Sequence, residues 1–323
     1  MKTISIIVAI YNVEDYLDKC LKSIKDQTYG DFVCYCVNDG STDNSKQIVN
    51  KYLNDSRFVL LDKENGGVSD ARNYGLEHVN TEYLMFVDGD DYLDINLLSE
   101  CMNSISNSDV DILMFGYNQI HLSTNITEQI SPQLEEGIFT LKEKKELLAF
   151  TPNAVWNKIY KRSLFIDENN NMLKFAKGYR HQDLGITAKL LHKASSIQII
   201  NKPLYYYIID RPDNITSKVD DKVYHVIDMS KDIIDYYIKE AIFNEYIEEL
   251  EYLVKSNCIQ SLRKVISSKN NEFVNGFIND VFSFTNVYFK QAKHSYYKYF
   301  DKHDRVYLSK FLTKLYYIFN KKI

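Results

Sequence analysis

Apolar residues follow two alternating patterns in the first 115 residues of the chain. Short continuous runs rich in Val, Ile and Phe are typical of buried strands, whereas apolar residues spaced three and four positions apart are typical of helices that bury one face. The runs lie at residues 3–11, 32–39, 57–64, 82–87 and 111–118. Because helical patterns separate them, the alternation predicts right-handed crossovers and a mostly parallel α/β sheet.

The predicted helices start at polar residues that can act as caps. Asn12 is expected to cap the first helix, and Ser41 or Asp43 the second. Side-chain oxygens at such positions accept hydrogen bonds from the free N–H groups of the first turn. The apolar positions that we expect to be buried are Leu17, Cys20, Leu21 and Ile24 in the first helix and Ile48, Val49 and Leu53 in the second.

The pattern becomes irregular after residue 118 and purely helical after about residue 220, where Gly and Pro are nearly absent. We therefore predict an α/β domain over residues 1–218 and an all-helical domain over residues 219–323. Within the irregular part we expect short strands near residues 117–121, 137–140, 196–200 and 204–209 and a helix at 183–193.

Composition indicates an ordinary globular protein. The chain has 323 residues and a net charge of −5, which does not favour nucleic acid as a partner. No signal-peptide pattern and no run of about 20 apolar residues is found, so we expect a cytoplasmic protein. The five cysteines lack zinc-site spacing and are expected to be reduced core thiols.

Polar residues follow each of the first four predicted strands. Ligands of parallel sheets bind at the carboxyl ends of the strands, so these residues are expected to share one edge. Caps explain part of the pattern, but structure alone does not require acids at three of four strand ends. The four groups are Tyr11-Asn12, Asn38-Asp39, Asp62 to Gly67 and Asp88 to Asp91.

The stretch "LMFVDGDDYLD" at residues 84–94 contains the densest group of acids at a strand end. Hard divalent cations prefer oxygen ligands, and Mg²⁺ or Mn²⁺ on a substrate phosphate needs only one or two carboxylates from the protein. Asp88 and Asp90 fit that requirement. Acids near a helix start are also favourable as caps, and we expect this of Asp91 and Asp94. The residues alone leave both readings open.

Three other stretches have both a structural and a functional interpretation. Asp39 in "VNDGSTDNS" can bind a nucleobase or ribose, or can belong to an Asx turn. Arg72 in "NGGVSDARN" can reach a phosphate, or can be a surface residue of a helix. Asp183 in "RHQDLGITAKLL" can be a general base, although a helix cap is the better interpretation of that stretch alone.

Taken together, the chain resembles the inverting family 2 glycosyltransferases of the GT-A fold, which build bacterial capsules, exopolysaccharides and related surface glycans. The resemblance covers roughly residues 3–217. The matching stretches, in the order of the family, are "SIIVAIYNVEDYLDKCLKSIKDQTY", "CVNDGSTDNS", "ENGGVSDARNYGL", "MFVDGDDYL", "WNKIYKRSLF", "QDLGITAKLL" and "PLYYYIIDRPDNITS".

The resemblance implies a Rossmann-like mixed sheet flanked by helices, with a nucleotide-sugar half at about 1–117 and an acceptor half at about 118–218. It implies transfer of a hexose or N-acetylhexosamine from a UDP-sugar to a glycan or lipid-linked saccharide, with Mn²⁺ or Mg²⁺. By this resemblance, Tyr11 and Asp39 would bind the uracil end, helped by Asn65 and Arg72. Asp88 would contact the ribose or the metal, and Asp90 would coordinate the metal. Arg211 would contact a phosphate or the acceptor, and Asp183 would be the catalytic base.

Two positions depart from the family pattern. Ala9 replaces a frequent Pro, and Gln182 replaces the Glu that usually precedes the base. Gln can still orient an acceptor hydroxyl but has no charge.

Three other functions are weighed against this one. In haloacid-dehalogenase-like phosphatases the two acids are usually on the first strand. In nucleotidyltransferases a Gly-rich basic loop usually follows the first strand. Neither pattern is present. A non-catalytic sugar-nucleotide-binding module is the third, and intact Asp88, Asp90 and Asp183 argue against it.

The C-terminal segment is basic and amphipathic. Residues 290–323 contain nine Lys and Arg against two Asp. Such a helix suits peripheral contact with anionic lipid at the inner face of the plasma membrane, and suits packing within its own domain or in a homo-oligomer equally well. The apolar face consists of Leu308, Phe311, Leu312, Leu315 and Phe319, and the basic side of Lys310, Lys314 and Lys321.

Overall fold

The computed structural model describes residues 4–211, 220–267, 271–310, 312–314 and 317. The chain divides into two compact units. The domain boundary predicted after residue 218 lies outside the described residues, as do Phe311, Leu315, Phe319 and Lys321 of the predicted tail helix. The first unit comprises Met1–Lys144, Thr151–Gly178 and Ile186–Asn214, and the second comprises Lys145–Phe150, Tyr179–Gly185 and Ile215–Ile323.

A ten-stranded mixed sheet forms the centre of the first unit, with the order β3-β2-β1-β4-β9-β6-β10-β5 and with β7 beside β6 and β8 beside β10. The strands are β1 (Ile4–Ile10), β2 (Phe32–Asp39), β3 (Phe58–Lys63), β4 (Tyr83–Asp88), β5 (Tyr92–Leu93), β6 (Ile112–His121), β7 (Ile126–Ile130), β8 (Gly137–Phe139), β9 (Lys158–Lys161) and β10 (Ile197–Ile209).

The described helices surround the sheet or form the second unit. They are α1 (Glu14–Lys25), α2 (Ser45–Asn50), α3 (Val68–His78), α4 (Leu97–Ser108), α5 (Glu146–Phe150), α6 (Gln182–Lys193), α7 (His225–Lys239), α8 (Ile247–Ile266) and α9 (Asn271–Tyr288).

Parallel pairing aligns the strand ends that the sequence analysis singled out. β1 pairs in parallel with β2 and β4, and β2 with β3. Ala9 pairs with Asp88, and Asp39 pairs with Lys63, so the carboxyl ends of these four strands lie along one edge. Helix α3 approaches the sheet closely at Gly75, where a Cβ would lie 2.5 Å from the Ile7 side chain. The predicted α/β architecture is confirmed.

Several predicted strands differ from those observed. Residues 117–121 continue β6, and the two strands predicted at 196–200 and 204–209 are one strand, β10. The register of β10 on β6 shifts on both sides of Pro203, because proline has no N–H to donate to the ladder. The short strands β5, β7 and β9 were not predicted from the apolar pattern.

The helix faces follow the predicted spacing more closely than the caps do. Leu17, Cys20, Leu21 and Ile24 are buried in α1, while in the second helix Ile48 and Val49 are buried and Leu53 lies exposed beyond the helix end. The prediction that Asn12 caps α1 is wrong. Its backbone is left-handed (φ 49°), and its Oδ1 accepts a hydrogen bond from the N–H of Thr42 at 2.8 Å.

The N-termini of α1 and α2 cap one another. Asp43 Oδ2 accepts a hydrogen bond from the N–H of Glu14 at 3.0 Å, and its Oδ1 accepts one from the N–H of Ser45 at 2.9 Å. In return, Glu14 Oε2 accepts a hydrogen bond from the N–H of Asn44 at 2.8 Å. The side chain of Asp43 therefore serves two helices, and its predicted capping role is confirmed.

The described part of the second unit contains helices and connecting turns but no strand. Glu251 of α8 is buried and accepts hydrogen bonds from Lys255 (2.7 Å), His294 Nδ1 (2.8 Å) and the Tyr297 hydroxyl (3.1 Å). These contacts tie the segment after α9 to α8. No helix among the described residues is both long and apolar enough to cross a membrane.

All five cysteines are buried and none forms a disulfide. Cys34 and Cys36 lie on one side of β2 with their sulfur atoms 3.8 Å apart. Burial raises the pKa of the Cys34 thiol well above its usual value, which makes it a poor nucleophile. The prediction of core thiols is confirmed.

Candidate active site

An acidic turn follows β4. The N–H of Asp91 donates to the carbonyl of Asp88 at 3.0 Å, which closes the turn Asp88-Gly89-Asp90-Asp91. Gly89 fits because the turn passes close to β1. A Cβ at this position would meet the carbonyl oxygen of Ala9 at 3.0 Å. The turn thus places two carboxylates, Asp88 and Asp90, at the carboxyl edge of the sheet.

Arg72 pairs with the first carboxylate of the turn. Its Nη2 donates to Asp88 Oδ1 at 2.7 Å. Only 3% of the Arg72 side chain is exposed, and its guanidinium lies 5.5 Å from the ring centroid of Phe175. Arg72 is therefore not the surface residue that its helical position alone allowed. A buried guanidinium beside a carboxylate can reach a phosphate only if the phosphate binds directly at this turn.

Arg211 pairs with the second carboxylate. It follows the end of β10 and forms an ion pair with Asp90 Oδ2. Its guanidinium lies 5.3 Å from the ring centroid of Tyr16. The Nε of Arg211 is buried and has no hydrogen-bond partner among the described residues. The predicted site residues Asp88, Asp90, Arg72 and Arg211 thus form two neighbouring ion pairs.

Burial and a neighbouring carboxylate disfavour the ionised form of Asp90 despite its arginine partner. Burial, followed by the charge of Asp88, raises the pKa of the Asp90 carboxyl to about 6, against the opposing effect of Arg211. A divalent cation at this position would favour the ionised form. Oxygen donors of this kind fit Mg²⁺ or Mn²⁺, provided that a substrate or water completes the coordination. Among the described residues no three His, Cys, Asp or Glu side chains are grouped to hold a metal by themselves.

Asp91 is not a helix cap, which corrects the prediction made for it. Its side chain is 1% exposed, and it accepts hydrogen bonds from the Tyr205 hydroxyl and the N–H of Ile208, both at 2.8 Å. Helix α4 begins at Leu97. Asp94 does lie at its entrance, where its Oδ1 accepts a hydrogen bond from the N–H of Asn96 at 2.9 Å.

Asp39 lies beneath the glycine loop that follows β3. Its carboxylate accepts hydrogen bonds from the N–H groups of Gly66 (2.9 Å) and Gly67 (2.7 Å) and from Lys63 Nζ (2.7 Å). Asn65 Nδ2 donates to the same carboxylate at 3.2 Å. The structure therefore brings Asp39 and Asn65 together, with the carboxylate hydrogen-bonded to the loop. Recognition of a nucleobase by this pair remains a prediction.

Tyr11 comes directly after β1 at the same edge of the sheet. It is 47% exposed, and no hydrogen bond of its hydroxyl is seen among the described residues. An exposed ring at a strand end is available to stack on a flat ligand. Its role in binding uracil remains a prediction.

Asp183 belongs to the second compact unit, in the first turn of α6. Gln182 Nε2 donates to Asp183 Oδ1 at 3.1 Å. The preceding residue, His181, has a left-handed backbone with φ 60°. Gln182 thus orients the carboxylate that the resemblance assigns as the base.

Tyr205 contacts the acidic turn and was missed by the sequence reasoning. Its hydroxyl accepts a hydrogen bond from the N–H of Asp88 at 3.2 Å while donating to Asp91. The signal was present in "PLYYYIID", where Tyr205 and Tyr207 share a face of one strand by the two-residue period. A Tyr stripe is usually core, and nothing in the pattern indicated that this one lies beneath the acids.

A family model described as glycosyl transferase family 2 matches residues 5–168, about half of the chain. The chain belongs to glycosyl transferase family 2. The matched region contains the acidic turn and the glycine loop, and ends before Asp183 and Arg211. The membership expected from the sequence is confirmed.

Curated relatives carry glycosyltransferase names. Glycosyltransferase GlyA of Streptococcus pneumoniae is 33% identical over 218 residues, which are 64% of this chain and 30% of that protein. Uncharacterized glycosyltransferase EpsJ of Bacillus subtilis is 31% identical over 221 residues, which are 66% of this chain and 62% of that protein. The chain thus spans less than two thirds of the length of both relatives.

Solved structures share the fold. TarS 1–349 of Staphylococcus aureus in complex with UDP-GlcNAc has a TM-score of 0.64 at 20% identity, covering 92% of both chains. The mannosyltransferase PcManGT of Pyrobaculum calidifontis, in complex with GDP-Man and Mn²⁺, has a TM-score of 0.52 at 13% identity, covering 98% of this chain and 87% of that one. The GT-A fold with a helical C-terminal region, expected from the sequence, is confirmed.

Proposed function

We propose that this chain transfers a hexose or N-acetylhexosamine from a UDP-sugar to a hydroxyl of a glycan or lipid-linked saccharide, with inversion at the anomeric carbon, in the synthesis of a bacterial surface glycan. The observation that carries the proposal is the acidic turn, in which Asp88 and Asp90 lie beside Arg72 and Arg211 at the carboxyl edge of the sheet. TarS is named a poly(ribitol-phosphate) beta-N-acetylglucosaminyltransferase, and it is 28% identical over 219 residues, 65% of this chain.

The acidic turn suits a nucleotide-sugar diphosphate. Asp88 and Asp90 would hold Mn²⁺ or Mg²⁺, which when bound neutralises the diphosphate and improves it as a leaving group. Arg72 and Arg211 supply guanidinium groups for phosphate oxygens. Tyr11, Asp39 and Asn65 would bind the uridine end.

Asp183 would act as the general base. Its carboxylate takes the proton of the acceptor hydroxyl as the oxygen attacks C1 of the donor sugar from the face opposite the diphosphate. The C1–O bond to the diphosphate breaks, and the nucleotide leaves with that electron pair. Gln182 can donate a hydrogen bond to orient Asp183, but it provides no second negative charge.

Replacing the base tests the mechanism directly. We expect Asp183→Asn to bind the UDP-sugar as the wild type does and to lose about 10²–10⁴-fold in kcat, because general-base help is of that size. UDP release is measured with a saccharide acceptor at saturating donor. The matched control is Asp228→Asn, an exposed acid in the first turn of α7 in the same unit. Wild-type turnover in Asp183→Asn would reject the assignment, and equal losses in both variants would indicate a helix-terminus effect.

Removing the metal tests the donor site. A ligand present at 100 times its Kd stabilises a protein by about 2.7 kcal/mol. We expect UDP-sugars to raise the melting temperature in Mn²⁺ and to lose most of that effect in EDTA or in Asp90→Asn. Asp94→Asn serves as the control from the same loop. Donor stabilisation that persists in EDTA would contradict the metal role, and stabilisation by GDP-sugars alone would contradict the uridine assignment.

A further inference from the structure

Two buried side chains connect the acidic turn to the end of β10. The Tyr205 hydroxyl accepts a hydrogen bond from the N–H of Asp88 at 3.2 Å and donates to Asp91 Oδ2 at 2.8 Å. The other carboxylate oxygen, Asp91 Oδ1, accepts a hydrogen bond from the N–H of Ile208 at 2.8 Å. One hydroxyl and one carboxylate thus join two segments separated by more than a hundred residues.

Neither side chain is placed to touch a ligand. Asp91 is 1% exposed and Tyr205 is fully buried. Both are hydrogen-bonded within the protein: the Tyr205 hydroxyl donates once and accepts once, and each Asp91 carboxylate oxygen accepts one bond. Any effect on the reaction must therefore pass through the residues to which they are bonded.

The proposed metal ligands and a proposed phosphate contact lie next to these hydrogen bonds. Asp88 and Asp90 lie on the turn that Asp91 closes, and Arg211 lies three residues beyond Ile208 and pairs with Asp90. The hydrogen bond from Ile208 thus fixes the strand end from which Arg211 reaches the turn. β5 adds a third link, since Leu93 pairs with Tyr205 across an antiparallel ladder.

Trp156 holds the Tyr205 ring in place. The two rings are stacked at 4.6 Å with an interplanar angle of 17°, and Trp156 is itself buried. A tyrosine held by packing keeps its hydroxyl at one position, which is what a supporting residue of a binding site requires.

We propose that Asp91 and Tyr205 are positioning residues that hold the acidic turn and the end of β10 as one unit, so that Asp88, Asp90 and Arg211 face the metal–diphosphate group in a fixed arrangement. This inference rests on the proposed function. Hydrogen-bonded partners behind metal ligands typically contribute 10–100-fold to metal affinity or activity.

Tyr205→Phe removes only the hydroxyl and is the first test. We expect a 10–100-fold weaker affinity for Mn²⁺ in the presence of UDP, measured by the electron paramagnetic resonance signal of free Mn²⁺. We also expect a higher KM for the UDP-sugar, with kcat approaching the wild-type value at saturating Mn²⁺. The control is Tyr206→Phe, which removes a hydroxyl from the same strand, from a ring that stacks on Tyr92 at 4.5 Å instead of reaching the turn.

A second variant tests whether Asp91 and Tyr205 act together. Asp91→Asn replaces one of the two acceptor oxygens of the connection by a donor. The double variant Asp91→Asn with Tyr205→Phe should lose less Mn²⁺ affinity than the sum of the two single losses, because the effects of contacting residues in one network are not additive. The single variant Asp91→Asn also tests the proposal if Tyr205→Phe does not fold.

The outcomes are distinct. Variants that melt at lower temperature but bind Mn²⁺–UDP and turn over as the wild type does would overturn the positioning role and leave the proposed function standing. A folded wild type that binds neither Mn²⁺–UDP nor the donor would overturn both. Additive losses in the double variant would show that the two side chains act separately, against the proposal.

Discussion

His181 shows how strongly one residue can depend on its surroundings. It precedes α6 with a left-handed backbone, φ 60°. Burial, followed by the charges of Lys264, Arg180 and His225, lowers its pKa to about 4. The folded protein therefore holds this imidazole neutral at pH values where the unfolded chain, with an ordinary pKa near 6.5, binds a proton.

This difference predicts a pH-dependent stability. Because the pKa is lower in the folded state, the stabilisation is complete above pH 6.5 and is lost as the pH falls towards 4. We expect the free energy of unfolding of the wild type to fall by about 2 kcal/mol more than that of His181→Asn between pH 7 and pH 4.5. Asn tolerates the left-handed backbone. Urea unfolding at both pH values measures the effect, and equal pH slopes would contradict it.

Residue types at the site were predictable, but their partners were not. Asp88, Asp90, Arg72 and Arg211 follow from the family resemblance. That Arg72 pairs with Asp88 while Arg211 pairs with Asp90 depends on distances between segments far apart in sequence. The error at Asp91 has the same origin. An acid near a helix start looks like a cap until a buried tyrosine is found beside it.

At the scale of elements, the N-termini of α1 and α2 depend on one another. Asp43 accepts hydrogen bonds from the first residues of both helices, and Glu14 of α1 accepts one in return from Asn44. The loops after β1 and β2 are thereby joined at the edge of the sheet where Tyr11 and Asp39 lie. The polar stretch "DGSTDNS" thus has a structural role beside any functional one.

Loss of this shared cap should be costly. A capping side chain contributes about 0.5–2 kcal/mol, and Asp43 serves two helices. We expect Asp43→Ala to lower the free energy of unfolding by about 1–3 kcal/mol, measured by denaturant titration. Asp15→Ala, an exposed acid in the first turn of α1, should change it by less than about 0.5 kcal/mol. Similar losses of unfolding free energy in the two variants would mean that Asp43 stabilises the protein only through its charge near a helix N-terminus.

The extent of strand β10 could not be predicted from the local sequence pattern. The interruption at Asn201, Lys202 and Pro203 suggests two strands, and the local chemistry supports that reading because proline cannot donate to a ladder. In the folded chain the strand continues past the interruption with a shifted register on β6. Pairing with β6 supplies backbone hydrogen bonds on both sides of the interruption, and local strand propensity does not predict this pairing.

At the scale of the whole molecule, strand order decides which residues meet. β9 inserts antiparallel between β4 and β6, and β10 follows β6 in the sheet. The short strand β5 then returns from the acidic turn to pair with β10. This path brings Arg211 to Asp90 although 121 positions separate their numbers. The alternating pattern of the first 115 residues contains no information about it.

Local patterns in the sequence specify the α/β class, the buried helix faces, the edge of the sheet that carries the polar residues and, through ordered motifs, the family. These follow from local spacing, because burial and hydrogen-bond period are properties of neighbouring residues. Three features depend on contacts between distant segments: the two ion pairs of the acidic turn, the loop contacts of Asp39 and the connection of Asp91 through Tyr205 to β10. Each requires segments distant in the chain to meet, and that meeting depends on strand order and packing in three dimensions.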